Sequence, residues 1–145
     1  MIYLDNAATT WPKPPQVYEA VNRAMRVYGA NPGRSGHAMS TAAAEEMYRC
    51  REAGGQVFHV PGPECVAFTL NCTEAVNMVL KGRLKPGDHV VVSCLEHNAV
   101  MRPLQKLSQE RGVTFTQAQF VPGDNHATVD AFRKAFRANT ALVFC

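Results

Sequence analysis

The sequence has no hydrophobic run approaching the ~20 apolar residues that a membrane-spanning helix needs. Its opening residues, Met1-Ile2-Tyr3-Leu4-Asp5-Asn6, contain no basic segment leading into a long apolar one, so no secretory leader is expected. It lacks an excess of one charge: 15 Lys and Arg against 12 Asp and Glu leave a net +3, with the basic residues scattered. No stretch therefore resembles a nucleic-acid or membrane-surface patch, and small anions are the expected partners. Cysteine is sparse and irregular. Cys50, Cys65, Cys72, Cys94 and Cys145 are odd in number, and none forms a CxxC pair. That argues against a disulfide framework and against a zinc site. His37, His59, His89 and His126 are scattered and show no metal-ligand spacing. P-loop and GxGxxG signatures, internal repeats and low-complexity segments are all missing. A reduced, cytoplasmic protein without a bound metal is the expectation.

What is present has an ordinary globular balance, 46% hydrophobic and 19% charged over 145 residues, enough for a real core. Trp11-Pro12-Lys13-Pro14-Pro15 cannot lie inside a helix but can begin one. Val17, Ala20, Val21, Ala24, Met25 and Tyr28 then form one apolar stripe, which predicts a helix over about 15–28. Asn31 to Gly36 is a loop by composition. Ser40 or Thr41 is the expected cap of a second helix ending near Phe58, with Gly54-Gly55 as a weak point inside it. Residues 65–70 form a short apolar run of strand length. Thr73 stands where a cap is expected, and Ala75, Val76, Val79 and Leu80 have helical spacing. After the turn Lys85-Pro86-Gly87-Asp88, the run His89 to Cys94 reads as a strand buried on both faces. A helix through Val100, Leu104 and Leu107 stops near Arg111-Gly112. Val113 to Thr116 alternates like a strand near a sheet edge. A helix capped by Thr128 follows, then a buried strand over 141–145.

From residue 65 the order is strand, helix, strand, helix, strand, helix, strand. Such alternation with short links predicts an α/β fold: a mostly parallel sheet with flanking helices. Residues 1–60 read as an N-terminal loop with two helices, and 61–145 as the sheet-forming unit. Cys65, Cys94 and Cys145 fall in apolar runs, where a thiol acts as a small hydrophobe. The chain ends inside an apolar run, as expected of one piece of a longer protein.

Two strand-to-helix junctions, at Cys72-Thr73 and at Glu96-His97, should lie at the carboxyl edge of the sheet, where α/β proteins bind ligands. The free N–H groups at a helix start, with the positive end of its dipole, suit an anion. His97 can donate, accept, change charge near neutral pH, or lie against an aromatic ring; it could equally be a solvated residue near a helix start. Cys72 is a nucleophile in one reading and a small turn residue in the other, and the second is preferred. Glu74 suits the helix start and Glu96 could orient a neighbour. The lysines Lys13, Lys81, Lys85, Lys106 and Lys134 fall on loops or solvated helix faces.

Five segments, in order along the chain, resemble the cysteine desulfurase family, the class V aminotransferases. They are Tyr3 to Thr10, Asn31 to His37, Thr69 to Ala75, Glu96-His97-Asn98 and Asn139 to Val143. The first is similar to the family's opening motif. The second resembles its asparagine-proline loop and the third its phosphate loop. Asn71 and Cys72 stand where glycine and alanine are common in that loop. The family uses pyridoxal 5′-phosphate (PLP), so the resemblance implies an incomplete part of a PLP-dependent transferase fold-type I large domain. It implies that Cys72 and Thr73 hold the cofactor phosphate and that His97 stacks on the pyridine ring and helps move protons. It places Asn6, Ala7, Ala8 and Thr9 near the substrate. It also implies a homodimer, a small amino-acid substrate, most simply L-cysteine, and a sulfur-acceptor protein. The family's Schiff-base lysine, desulfurase cysteine and carboxylate-binding arginine would all lie beyond residue 145, so these residues alone are expected to be inactive. Selenocysteine lyase, aminotransferase and epimerase chemistry fit the same motifs, and a non-catalytic anion-binding or assembly module is the reading outside enzymology.

Overall fold

The computed structural model describes residues 1–34 and 36–145. Ser35, in the asparagine-proline loop, lies outside the described residues. Two compact units divide the chain, residues 1–67 and 68–145.

In the first unit, helix α1 spans Pro15–Val27 and starts on proline, whose missing N–H is no loss at a first turn. It buries none of its residues; Val17, Val21 and Met25 along its apolar stripe are exposed. Helix α2 spans Ala38–Phe58. Its cap is His37, not Ser40 or Thr41: the His37 Nδ1 accepts from the Ser40 N–H at 3.2 Å. Buried Ser40 instead donates its hydroxyl to the Asn31 carbonyl at 3.0 Å, tying the helix start to the preceding loop. The helix ends on His59 in the left-handed region, φ 52°, and the Val60 N–H returns to the Gly55 carbonyl at 3.0 Å. A Cβ added at Gly55 would meet Val60 Cγ2 at 3.4 Å, and one at Gly54 would meet Val66 Cγ1 at 3.7 Å. The glycine pair thus admits the returning chain against the helix, which offsets its poor helical propensity.

The predicted strand over 65–70 does not form. Pro63–Cys65 is a single 3₁₀ turn, and 66–70 joins no sheet. Leu70 is 90% exposed. An apolar run becomes a strand only beside another strand, and none of the described strands pairs with it. The expected order from residue 61 therefore loses its first strand. Cys65 and Cys145, expected to be buried, are exposed.

The second unit is an α/β sandwich. Helix α3 spans Cys72–Arg83, strand β1 His89–Ser93, helix α4 Asn98–Arg111, strand β2 Thr114–Ala118, helix α5 Asn125–Ala135 and strand β3 Thr140–Phe144. The sheet order is β2-β1-β3, and both pairings are parallel. The central strand is β1, and its first four residues are completely buried. Val90 and Val92 point to one face and join Val76, Leu80, Val100, Leu104 and Leu107 of α3 and α4. Val91 points to the other and joins Ala118, Ala135 and Phe132. A strand covered on both faces has no polar side to alternate with, which explains its unbroken valines. Gly112, at φ 66°, ends α4, as its sequence position predicts.

β2 is an edge strand, as its alternation predicts. β3 is also at an edge and only half-buried, against the expectation of a buried strand. α5 is capped by Asp124, whose Oδ1 accepts from the Ala127 N–H at 2.9 Å, while Thr128 hydrogen-bonds back to the turn at Val121.

Leu104 is fully buried in the larger cluster, whereas Val143 on β3 is 39% exposed. Leu104→Ala is expected to lower stability by about 3 kcal/mol, from lost transfer free energy plus a cavity. Val143→Ala should cost under about 1 kcal/mol. Urea denaturation of the two variants checks the difference.

Candidate functional site

The first junction is built by reciprocal capping. Asn71 stands in extended backbone, φ −166°, and its Oδ1 accepts from the Glu74 N–H at 2.9 Å. The Glu74 carboxylate reaches back to the Leu70 N–H at 2.7 Å. This is a variant of the capping box, with asparagine in place of serine and the N–H of the residue before the cap, Leu70, in place of the cap's own. The cap is therefore Asn71, not Thr73, and asparagine in place of glycine needs no unusual φ here. With Asn71 serving Glu74, the N–H groups of Cys72 and Thr73 point out of the first turn with no protein acceptor among the described residues. Both residues are exposed.

The second junction follows the buried central strand. Ser93 ends β1 and donates its hydroxyl to Glu96 Oε1 at 2.8 Å, while its oxygen accepts from the Leu95 N–H at 3.2 Å. The Cys94 N–H bonds the Ala118 carbonyl at 2.9 Å, and the Phe120 N–H reaches Cys94 Sγ at 3.3 Å. These bonds knit the carboxyl ends of β1 and β2 together. His97 then caps α4, its Nδ1 accepting from the Ala99 N–H at 3.1 Å. Because Nδ1 accepts, the neutral ring carries its proton on Nε2, and Nε2 has no protein partner among the described residues. Glu96 orients the loop through Ser93, as its position suggested.

Thr73 and His97 line one groove between α3 and α4, with a volume of about 420 Å³. Asn77 and Lys81 continue the α3 wall, and Arg102 and Lys106 the α4 wall. No acidic side chain lines it. Steps of four residues stack side chains along one helix face, so Thr73, Asn77 and Lys81 form one ridge and Asn98, Arg102 and Lys106 the other. Sequence reasoning set Lys81 and Lys106 aside as solvated and passed over Arg102. The four-residue spacing from each junction was the signal that could have found them. Cys72 lies beside the groove's α3 end in sequence but does not line it.

Asn6 to Thr9 belong to the first unit. Tyr3 donates its hydroxyl to the Thr9 carbonyl at 2.8 Å, and Asn6 Oδ1 accepts from the Trp11 N–H at 3.1 Å. The Ala8 N–H bonds the Asp5 carbonyl at 3.1 Å. The loop is thus a closed turn with exposed side chains. Among the described residues no group of three His, Cys, Asp or Glu could hold a metal ion. No helix is long and apolar enough to cross a membrane, again among the described residues.

Asn71→Ala is expected to cost about 1 kcal/mol of stability by removing the cap, and Asn71→Asp to retain most of it. Urea denaturation of both variants, with hydrogen exchange of the first turn of α3, checks this.

The class V aminotransferase family model matches residues 2–145. Among curated proteins, the chain is 31% identical over 149 residues to a cysteine desulfurase of Synechococcus elongatus. It is 35% identical over 133 residues to a probable cysteine desulfurase of Methanothermobacter thermautotrophicus. These alignments take in 99% and 91% of this chain but only 23% and 32% of the relatives. The apo cysteine desulfurase of Thermococcus onnurineus superposes with a TM-score of 0.80 at 27% identity, over 98% of this chain and 35% of that one. The Escherichia coli cysteine desulfurase CsdA gives 0.70 at 28%, over 97% and 36%. The chain spans between about a quarter and a third of the length of the relatives it matches. With the family pattern running along almost all of its residues, this chain belongs to the class V aminotransferases.

Proposed function

We propose that these residues are the N-terminal part of a PLP-dependent enzyme of the cysteine desulfurase type, which removes sulfur from L-cysteine. The observation that carries this reading is that Thr73 and His97, from the starts of two different helices, line one groove. The donors fit a phosphate. The N–H groups of Cys72 and Thr73 lack protein acceptors among the described residues, and the Thr73 hydroxyl is exposed at the positive end of α3. In this reading they hold the cofactor phosphate. His97 lies against the pyridine ring, its orientation fixed by the bond from Ala99 and its Nε2 left for a proton or a ligand. When bound, PLP supplies the electron sink that lets a bond beside an amino acid's amino group break. In this reading Asn6, Ala7, Ala8 and Thr9 are substrate residues of the complete enzyme. The lysine that carries the cofactor covalently lies outside these residues, so the chain alone binds PLP reversibly and does not turn over.

The curated relatives carry the name cysteine desulfurase, which favours that chemistry over selenocysteine lyase, aminotransferase or epimerase activity. The working protein in this reading is a cytoplasmic homodimer that passes sulfur to an acceptor protein. A purely anion-binding role would need only the Thr73 end of the groove and leaves the free Nε2 of His97 without a task.

Isothermal titration of this chain is expected to detect PLP binding that weakens about tenfold in Thr73→Val, a loss of about 1.4 kcal/mol. Pyridoxal, which lacks the phosphate and so loses the N–H contacts as well, should bind wild type more weakly than PLP binds the variant. Equal PLP affinity in wild type and variant rejects the phosphate assignment. In a protein carrying these residues within a longer chain, sulfide release from L-cysteine should fall at least about a hundredfold in His97→Ala, the scale of a lost proton-transfer group. An active enzyme indifferent to that substitution rejects the role of His97.

A further inference from the structure

The opposite end of the sheet holds a buried titratable group that the proposed site does not use. His89 opens the central strand and is completely buried. Its Nδ1 lies 2.8 Å from Thr140 Oγ1 on β3, and its Nε2 lies 2.9 Å from Thr116 Oγ1 on β2. Arg137 closes the ring from the turn before β3. Its backbone N–H donates to Thr140 Oγ1 at 2.8 Å, and its Nη2 donates to Thr116 Oγ1 at 3.1 Å. One imidazole thus bridges all three strands, and one arginine holds both threonines.

The hydrogen atoms in this ring are matched to a neutral imidazole. One ring N–H donates to one threonine, and the other ring nitrogen accepts the second threonine's hydroxyl. A second proton turns both nitrogens into donors. The hydroxyl that faced the ring then loses its acceptor inside the protein, and a buried cation stands beside a guanidinium. Both effects are unfavourable without solvent.

The surroundings offer no carboxylate to compensate. β2 and β3 carry no ionisable side chain. On α5, Asp130 is paired with Arg133 at 3.2 Å; His126 and Lys134 complete that helix's titratable groups. Asp88, just before the strand, turns its Oδ2 to the Lys85 N–H at 2.8 Å. Arg137 is the charge that acts on the ring.

We infer that His89, Thr116, Thr140 and Arg137 form a proton-operated clasp that ties the amino ends of β1 and β3 to the middle of β2 while the imidazole is neutral and releases the edge strand β3 when it is protonated. β3 is the strand to yield. The register between β1 and β3 breaks at His89 and Val90, beside the clasp, whereas the β1–β2 register is continuous. β2 is anchored by fully buried Val113 just before it and by Ala118 at its end, while no residue of β3 is fully buried. The inference is independent of the cofactor reading, because neither Thr73 nor His97 takes part.

Burial first and Arg137 second hold the His89 pKa below the ordinary 6.5. The closed state therefore favours the neutral ring. Above pH 6.5 the ring is neutral whether the clasp is closed or open, and its contribution is complete. Below that value the open state takes up a proton that the closed state excludes. The opening constant then rises by up to tenfold per pH unit until the closed-state pKa is passed.

Two measurements on the whole chain test this. In ¹⁵N NMR titration of the wild type, the His89 ring should hold one neutral tautomer at pH 7 and titrate below the ordinary 6.5. Arg137→Gln should raise its midpoint toward 6.5. Hydrogen-exchange protection factors of Leu142 to Phe144 should fall as the pH drops below 6.5, by up to tenfold per unit, while those of Val90 to Val92 change less. His89→Asn should remove that pH response. A wild-type His89 that titrates at or above 6.5, or a β3 response that survives in a folded His89→Asn, overturns the inference. If His89→Asn does not fold, the wild-type titration and the Arg137→Gln shift decide alone.

Discussion

The unit from Phe68 to Cys145 depends on the complete burial of β1. Its valines are shielded by α3 and α4 on one face and by α5 on the other, and both of its edges are paired. A strand in that position satisfies its backbone through its neighbours, so its register is strongly specified, the break with β3 at His89 and Val90 apart. The polar groups that the sheet cannot bury are driven to its two ends. At the carboxyl end they become helix caps, and at the amino end they close into the His89 ring.

Helix capping also explains why a ligand groove exists at all. Each helix start leaves several N–H groups unpaired, and one side-chain cap satisfies only part of them. In α3, Asn71 serves Glu74 and leaves Cys72 and Thr73 free. In α4, His97 serves Ala99 through one ring nitrogen and keeps the other. The residues that stabilise the helices are thus the neighbours of the residues that face the groove, and stability and binding are set by the same junctions.

That coupling marks what the sequence made legible. The apolar run of β1, the glycine stop of α4 and the alternation of β2 were readable because each follows from local chemistry: burial, a left-handed cap, one wetter face. Both junctions were readable for the same reason. The caps were misplaced in one direction. The helices start earlier than the first apolar-periodic residue, with Asn71, His37 and Asp124 capping where Thr73, Ser40 or Thr41, and Thr128 were expected. A histidine ring nitrogen accepts as well as a carboxamide oxygen does, which residue-type preference hides. The strand over 65–70 and the burial of β3 failed for another reason. Both depend on what stands alongside, and apolar composition carries no information about neighbours. The basic walls of the groove needed two helices to be placed side by side before Lys81, Arg102 and Lys106 could be seen as one surface.

The two ends of the sheet differ in how completely their hydrogen bonds close. At the amino end both nitrogens of the buried His89 ring face a threonine hydroxyl, so the imidazole takes up a second proton only by losing one of those bonds. At the carboxyl end the N–H groups of Cys72 and Thr73 and the Nε2 of His97 have no protein acceptor among the described residues, and Thr73 and His97 line a groove with cationic side chains. Open donors at a surface cost little while water serves them, and they are already aligned when an anion arrives. Closing the carboxyl end with further protein acceptors would remove the free donors on which the proposed phosphate site rests. For α4 and α5 the asymmetry follows from parallel topology: a helix that follows a parallel strand begins at the carboxyl edge of the sheet, and α3, which follows no strand, joins that edge by sharing its groove with α4.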